Sequence, residues 1–493
     1  MGQDVDRTEF TRQDRQRYRA KVRRCLDVFA RMLSESKFDF DRPMTGLEIE
    51  FNLIDQVQDP AMRNSDVLHA IENPDFQTEL GQFNIEINVP PRGLAGNAVA
   101  ELESELRDDL NEAELRSRSV GAHIVMIGIL PTLALEHLSA DALSANPRYA
   151  LLNEQIFAAR GEDLHISIDG PDQLSTYADT IAPEAACTSV QFHLQTSPSS
   201  YADNWNAAQC IAGVQLALGA NSPFLFGQEL WRETRIALFE QSTDTRPDEL
   251  KAQGVRPRVW FGERWITSIF DQFEENVSYF PALLPVTDDE DPVEVLDAGG
   301  VPSLAELRMH NGTVYRWNRP VYDVYNGQPH LRVENRVLPA GPTVVDILAN
   351  GAFYYGVLRV LAEEERPIWS QMSFSAAQDN FYAGARLGIN AKIYWPGLGE
   401  VPAGELVLRR LLPMAYEGLD RWGMAPDVRD RLLGIIEQRC LAHLNGAEWQ
   451  ARMFHRIDED RQPADRRDSL REMLRRYVEY MHSNEPVHTW PLS

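Results

Sequence analysis

The stretch GLEIEFNLID, Gly46 to Asp55, alternates without a break: Leu47, Ile49, Phe51 and Leu53 on one side, Glu48, Glu50 and Asn52 on the other. Successive side chains of a strand point to opposite faces, so this period of two predicts a strand with one apolar face and one carboxylate face. Three further stretches repeat it. In FNIEINV (Phe83–Val89), Phe83, Ile85, Ile87 and Val89 oppose Asn84, Glu86 and Asn88, and Pro90-Pro91 ends the run. In SVQFHLQ (Ser189–Gln195), Val190, Phe192 and Leu194 oppose Gln191, His193 and Gln195. In HLRVENRVL (His330–Leu338), Leu331 and Val333 oppose Arg332, Glu334 and Arg336. Half-polar strands without a βαβ rhythm predict the α+β class: an antiparallel sheet, one face wet, the other covered by helices.

The helices are read around this sheet. Val22, Leu26, Phe29 and Leu33 mark an amphipathic helix over 17–36, and Val99, Leu102, Leu106, Leu110 and Ala113 a second long one, followed by an apolar strand at 124–129. Residues 131–186 carry turn signals and read as loops with short helices. A helix over 205–218 stops at Asn221-Ser222-Pro223, because the residue before proline disfavours the α region. The acidic stretch 287–302 reads as a linker or exposed loop. Pro342 opens a helix to about Leu361, and from Pro402 onward the pattern is helical almost throughout. The expected organisation is an N-terminal helical segment (1–43), a catalytic domain (44–363) and a helical C-terminal region (364–493).

Composition narrows the function. The net charge of −26 over 493 residues repels phosphate backbones and anionic lipid, which argues against nucleic-acid or membrane-surface partners. Cys25, Cys187, Cys210 and Cys440 show no CxxC spacing, so neither a disulfide framework nor a structural zinc site is expected. Met1 to Arg24 lacks an apolar targeting core and no segment is expected to span a bilayer, so the cytoplasm is the expected compartment. With four lysines (Lys21, Lys37, Lys251, Lys392), any phosphate chemistry must lean on arginine. The chain lacks GxxxxGK[ST], a helix-opening GxGxxG, HExxH and GxSxG, which removes the usual support for P-loop, Rossmann, zincin and hydrolase readings.

The polar positions of the four strands supply Glu48, Glu50, Glu86, His193, Arg332, Glu334 and Arg336, and Glu79 precedes Glu86 by seven residues. One Glu-x-Glu strand alone is most often a solvated sheet face, and Arg332 beside Glu334 alone reads as a cross-strand ion pair. Recurrence on four strands shifts the balance toward a site. Carboxylates packed together raise one another's pKa, and hard divalent cations such as Mg²⁺ or Mn²⁺ relieve that cost. Arginines among them would clamp phosphate oxygens, and metal beside arginine suits phosphoryl transfer.

These motifs resemble the glutamate–cysteine ligase family within the carboxylate–amine ligase superfamily. Gly46-Leu47-Glu48-Ile49-Glu50 resembles its G-x-E-x-E strand, Glu79–Pro91 its second acidic block, and Val190–His193 its V-x-x-H strand. Ala220-Asn221-Ser222-Pro223-Phe224 with Arg235 resembles its ANSP segment and downstream arginine. Glu334-Asn335-Arg336 followed by Pro342–Asp346 resembles its E-x-R strand and helix, with Asn335 in place of the usual apolar residue. Arg148-Tyr149 resembles an R-Y pair of relatives. The matches run in order from about residue 44 to 363.

The resemblance implies a curved, glutamine-synthetase-like antiparallel sheet with helices on one face and a helical C-terminal extension. It implies an ATP-dependent ligase that phosphorylates a carboxylate, glutamate's γ-carboxylate in the family, and passes the acyl group to an amine such as cysteine. Carried over, Glu48, Glu50, Glu79, Glu86, His193 and Glu334 would hold Mg²⁺ (or Mn²⁺). Arg336 would neutralise the transferring phosphoryl group, and Arg235 would hold a phosphate or the substrate carboxylate, with Arg332 at the same face. The competing readings are a metal-dependent amide hydrolase, since such a site can also activate water, and a non-catalytic nucleotide-binding homologue. No oligomeric state follows from the pattern.

Overall fold

The computed structural model describes residues 10–40, 43–460 and 465–492. The first nine residues and residues 41–42 of the expected N-terminal segment lie outside that range. Seven strands form the central sheet: β1 (Thr45–Ile54), β2 (Phe76–Thr78), β3 (Asn84–Arg92), β4 (His123–Val125), β5 (Val190–Thr196), β6 (Asn318–Tyr325) and β7 (Gln328–Asn335). Their order is β6-β7-β5-β1-β3-β2, antiparallel throughout, with β4 running beside β1 beyond the end of β5. The four alternating stretches are β1, β3, β5 and β7, and the α+β antiparallel expectation holds.

The helices packed around and behind this sheet include α1 (Arg12–Glu35), α2 (Ala98–Ser119), α3 (Tyr201–Gly219), α4 (Val344–Glu363), α5 (Phe374–Leu387), α6 (Leu412–Trp422), α7 (Pro426–Ala442), α8 (Gly446–Asp460) and α9 (Arg466–Ser483). Leu47, Ile49, Phe51, Ile85, Ile87, Phe192, Leu194, Leu331 and Val333 are buried on the apolar face. Burying such side chains contributes roughly 1.5–3 kcal/mol each before entropy is counted. α3 and α4 cover that face and are themselves covered by α5, α6 and α7, so both are buried on nearly every side. Two glycine pairs set the spacing of these layers. A Cβ on Gly418 of α6 would lie 1.8 Å from the Gly356 carbonyl oxygen of α4, and one on Gly384 of α5 would lie 2.2 Å from that of Gly213 on α3.

Helix α4 amends the expectation that no segment has spanning length. Val344–Glu363 is long and apolar enough by length and composition, but 94% of its most apolar window is buried inside the protein, so its apolarity serves packing. The strand expected at 124–129 ends at Val125. Beyond it the backbone is taken by other partners: Tyr477 donates to the Met126 carbonyl at 2.7 Å, Asn52 to that of Ile127 at 3.0 Å, and the Gly128 N–H donates to Asn221 at 3.3 Å. Residues 131–186, expected as loops and short helices, contain a 14-residue helix, Pro147–Arg160, and a hairpin of Leu164–Asp169 with Gln173–Ala178. The alternation of LHISID, with Leu164, Ile166 and Ile168 buried, carried that signal. The stretch 287–302 holds a short helix, Pro292–Asp297, whose cap Asp291 pairs with Arg24 of α1 at 2.7 Å.

The C-terminal helices share the main core, which runs unbroken from Tyr18 to Trp490. Arg439 of α7, fully buried, pairs with Asp346 of α4 at 2.7 Å and donates to Asn350. A buried charge pair of this kind is tolerated because both terminal nitrogens of the guanidinium find oxygen partners, in Asp346, Asn350 and the Leu218 carbonyl.

Candidate active site

Register decides which side chains meet on the polar face. Glu50 of β1 faces Glu86 of β3, and Gln77 of β2 flanks Glu86 on its other side. Glu48 of β1 faces Gln191 of β5. His193 of β5 faces Glu334 of β7, which in turn faces Arg319 of β6. Side-chain period 2 thus brings chain positions hundreds of residues apart onto one surface.

Glu79 enters from the turn after β2, and one carboxylate oxygen from each of Glu50, Glu79 and Glu86 lies within 4.8 Å of the others. Glu50 accepts from the Ser189 N–H at 2.6 Å and from the Gln191 amide at 2.9 Å; Glu86 accepts from Asn88 at 3.0 Å; Glu79 accepts from the Leu80 N–H at 2.9 Å. Burial, then the charge of Glu86, pushes Glu50 up to about 7. Burial, then Glu50, pushes Glu79 up to about 7, and burial with Glu79 and Glu48 raises Glu86 well above the usual range. Three oxygen ligands that resist being charged together fit a hard divalent cation. They border a cavity of about 440 Å³, also lined by Arg148, Tyr149, Glu184, Arg235, Arg319 and Arg336.

A second group adjoins the first. Arg332 Nε donates to His193 Nδ1 at 3.1 Å. Arginine can only donate, so Nδ1 keeps its lone pair and the ring proton sits on Nε2, 3.1 Å from a Glu48 oxygen. Burial alone would raise Glu48, but the His193 contact outweighs it and holds the carboxyl below the usual range. Buried Glu334 is gripped by Arg319 Nε at 2.9 Å and Arg336 Nε at 3.0 Å. Against the desolvation, these two arginines hold it well below the ordinary range. Gln191 links the groups: its carbonyl accepts from Arg336 at 2.9 Å while its amide donates to Glu50. A second cavity, of about 270 Å³, is lined by Arg308, Arg332 and Glu334 and shares Glu48, Arg148 and Arg319 with the first.

Arg235 borders the first cavity from the helix Thr234–Ser242, yet its donors go to protein. Nε meets Glu233 at 3.0 Å, the guanidinium reaches the carbonyls of Arg336 and Val337, and it lies over Trp317 at 5.6 Å. It therefore pins the chain that carries Arg336. Glu233 is itself held by the Asn221 N–H at 2.8 Å, and Asn221 is fixed by Ala340, by Tyr477 of α9 and by Gln450 of α8. The C-terminal helices thus act on the segment that follows β7 through the ANSP segment.

Eight of the nine residues expected from the sequence (Glu48, Glu50, Glu79, Glu86, His193, Arg332, Glu334 and Arg336) gather on one face, and Arg235 supports it from the side. Gln191, Arg319 and Glu184 were not singled out as site residues. Arg319 was within reach: Asn326 and Gly327, at φ 51° and 73°, form the tight turn of a β6–β7 hairpin, and Asn-Gly between strands signals such a turn. That hairpin places Arg319 opposite Glu334. Glu184 lies in a short 3₁₀ turn, Ala182–Ala186, where no periodicity points to it.

Fold and family place the chain among the ATP-dependent carboxylate–amine ligases. It belongs to glutamate-cysteine ligase family 2, whose model matches residues 44–457 and so reaches well into the C-terminal helices. Among solved structures it is similar to a glutamate–cysteine ligase of Francisella tularensis in complex with AMP, with a TM-score of 0.55 and 13% identity over 90% of each chain. It is also similar to a bifunctional glutathione synthetase of Pasteurella multocida, with a TM-score of 0.51 and 12% identity over 93% of this chain and 54% of that one. At such identities the likeness is one of fold. No individually curated protein matches the sequence.

Proposed function

We propose that the protein uses ATP to join a carboxylate, the γ-carboxylate of glutamate, to an amine such as cysteine through an acyl-phosphate intermediate. The observation that carries this reading is the single sheet face that sets three cation-ready carboxylates beside an arginine–glutamate network, bordering two cavities that share lining residues. The AMP held by the Francisella tularensis ligase supports a nucleotide here.

Glu50, Glu79 and Glu86, with Glu48, His193 and Glu334 around them, would hold Mg²⁺ or Mn²⁺; the bound cation screens phosphate charge and orients phosphate oxygens. His193 and Glu334 would complete that set beside a phosphate whose oxygens the neighbouring arginines would bind. Arg336 meets the charge that develops on the transferring phosphoryl group, while Arg319 and Arg332 hold phosphate oxygens. Arg235 keeps Arg336 in place. No protein nucleophile is needed, because positioning and charge neutralisation carry such a transfer.

The test is an ADP-release screen with Mg-ATP over carboxylate and amino-acid pairs, run beside Glu48→Gln and Glu334→Gln. ADP release that requires both substrates, and that both variants abolish while still folding, is the expected result. Amide cleavage without ATP would make the protein a hydrolase, and normal ADP release by both folded variants would remove the site.

A further inference from the structure

Glu184 stands apart from the other acids around the larger cavity. Glu50 is held by Ser189 and Gln191, Glu86 by Asn88, Glu79 by the Leu80 amide, Glu48 by His193, and Glu334 by two arginines. Glu184 lines the same cavity, but its buried Oε2 has no hydrogen-bond partner among the described residues. Its position is not loose. The turn that carries it is closed by the Glu184 N–H on the Ile181 carbonyl and by the Cys187 N–H on the Glu184 carbonyl, both at 2.9 Å. The cationic neighbour, Arg336, forms its ion pair with Glu334 and its hydrogen bond with Gln191. A carboxylate oxygen left buried and unpaired is unfavourable, and a cation brought against the carboxylate from the cavity offsets that.

We infer that Glu184 binds the ammonium group of the acceptor substrate and takes a proton from it as the amide forms. This rests on the ligase reading above and extends it to the acceptor, which it defines as a primary amine that arrives charged. The balance is complete. The ammonium nitrogen loses two protons: one passes to Glu184 and the other leaves with phosphate. The nitrogen lone pair forms the new C–N bond, and the C–O bond to phosphate breaks with its electron pair going to the phosphate oxygen. No oxidant or further reactant is required. Burial pushes Glu184 up to about 8 against the pull of Arg336, a value suited to taking a proton near neutrality.

The experiment compares wild type with Glu184→Gln, which keeps the shape and removes the charge, in ADP release with Mg-ATP and glutamate. Two classes of acceptor are used: a panel of amino acids, ammonia and putrescine, and separately hydroxylamine, which is largely uncharged at neutral pH and needs no proton acceptor to attack. Glu184→Gln should lose about 100-fold or more in kcat/KM with the best charged acceptor, the range for one general base. Its hydroxylamine turnover should fall less than tenfold, and its melting temperature at pH 9, where the wild-type carboxyl is ionised, should equal or exceed that of wild type, since an unpaired buried charge is gone. Equal losses with both acceptors, no loss with either, or a lower melting temperature would overturn the assignment. Wild type that uses hydroxylamine but none of the charged acceptors would overturn it too while leaving the ligase reading in place. Wild type that releases no ADP with any acceptor removes the ligase reading and this one with it.

Discussion

The carboxylate trio makes the protein's stability depend on divalent cation and on pH in a direction that the structure fixes. Glu79 is raised from 4.5 to about 7 by burial and by Glu50. Its folded value lies above its unfolded one, so the stability it contributes is fully present below about pH 4.5 and is lost as pH rises through 7. The step from 4.5 to about 7 amounts to about 3 kcal/mol, an upper figure because Glu79 keeps some contact with water. Glu50, raised to a similar value, does not simply add, since a proton on one relieves the other. His310 and His330, pushed down to about 4 chiefly by burial, gain stability with rising pH over the same window. Glu48 and Glu334, held low, change only in more acid solution. The reading is therefore a difference between wild type and Glu79→Gln, whose amide oxygen can still accept from Leu80. Denaturant unfolding followed by the fluorescence of the ten tryptophans, in EDTA, should find the variant up to about 3 kcal/mol more stable at pH 8 and level at pH 5. Millimolar Mg²⁺ should stabilise wild type at pH 8, do so less in the variant, and have little effect at pH 5, where the ligands carry protons. A variant less stable than wild type at pH 8 in EDTA, or an Mg²⁺ gain of equal size at both pH values, would refute the account.

Two more outcomes follow from the same geometry. Arg336→Ala should lower kcat by about 100-fold or more while nucleotide affinity, measured by calorimetry, changes less than tenfold, because one donor to a developing charge is worth that much; the opposite ranking would assign Arg336 to ground-state binding. Tyr477→Phe removes the hydroxyl that donates to Met126 and accepts from Asn221, so unfolding free energy should drop by about 1–3 kcal/mol. An unchanged value would show that the α9 contact with the ANSP segment is not a support.

Much of this was legible in the sequence because alternation is a local property. Whether Glu48, Glu50, Glu86, His193 and Glu334 lie on a polar face is set by parity within each strand, and parity survives any choice of neighbours. The shortened strand at Val125 was not legible, since the backbone groups of Met126 to Gly128 are taken by Tyr477, Asn52 and Asn221, all distant in the chain. Nor was the reason for the apolarity of Val344–Glu363, which is its burial between sheet and α6.

By itself, then, the sequence determined the strand faces, the helices and the acid-rich chemistry, because each follows from the spacing of neighbours along one segment. The tertiary structure alone decided the partners. Strand order put Glu50 opposite Glu86 and Arg319 opposite Glu334, turned Arg235 toward the backbone of Arg336, and left Glu184 facing a cavity with an oxygen unmatched. Such pairings depend on register between strands and on loops with no period of their own, and these are fixed only when the whole core closes.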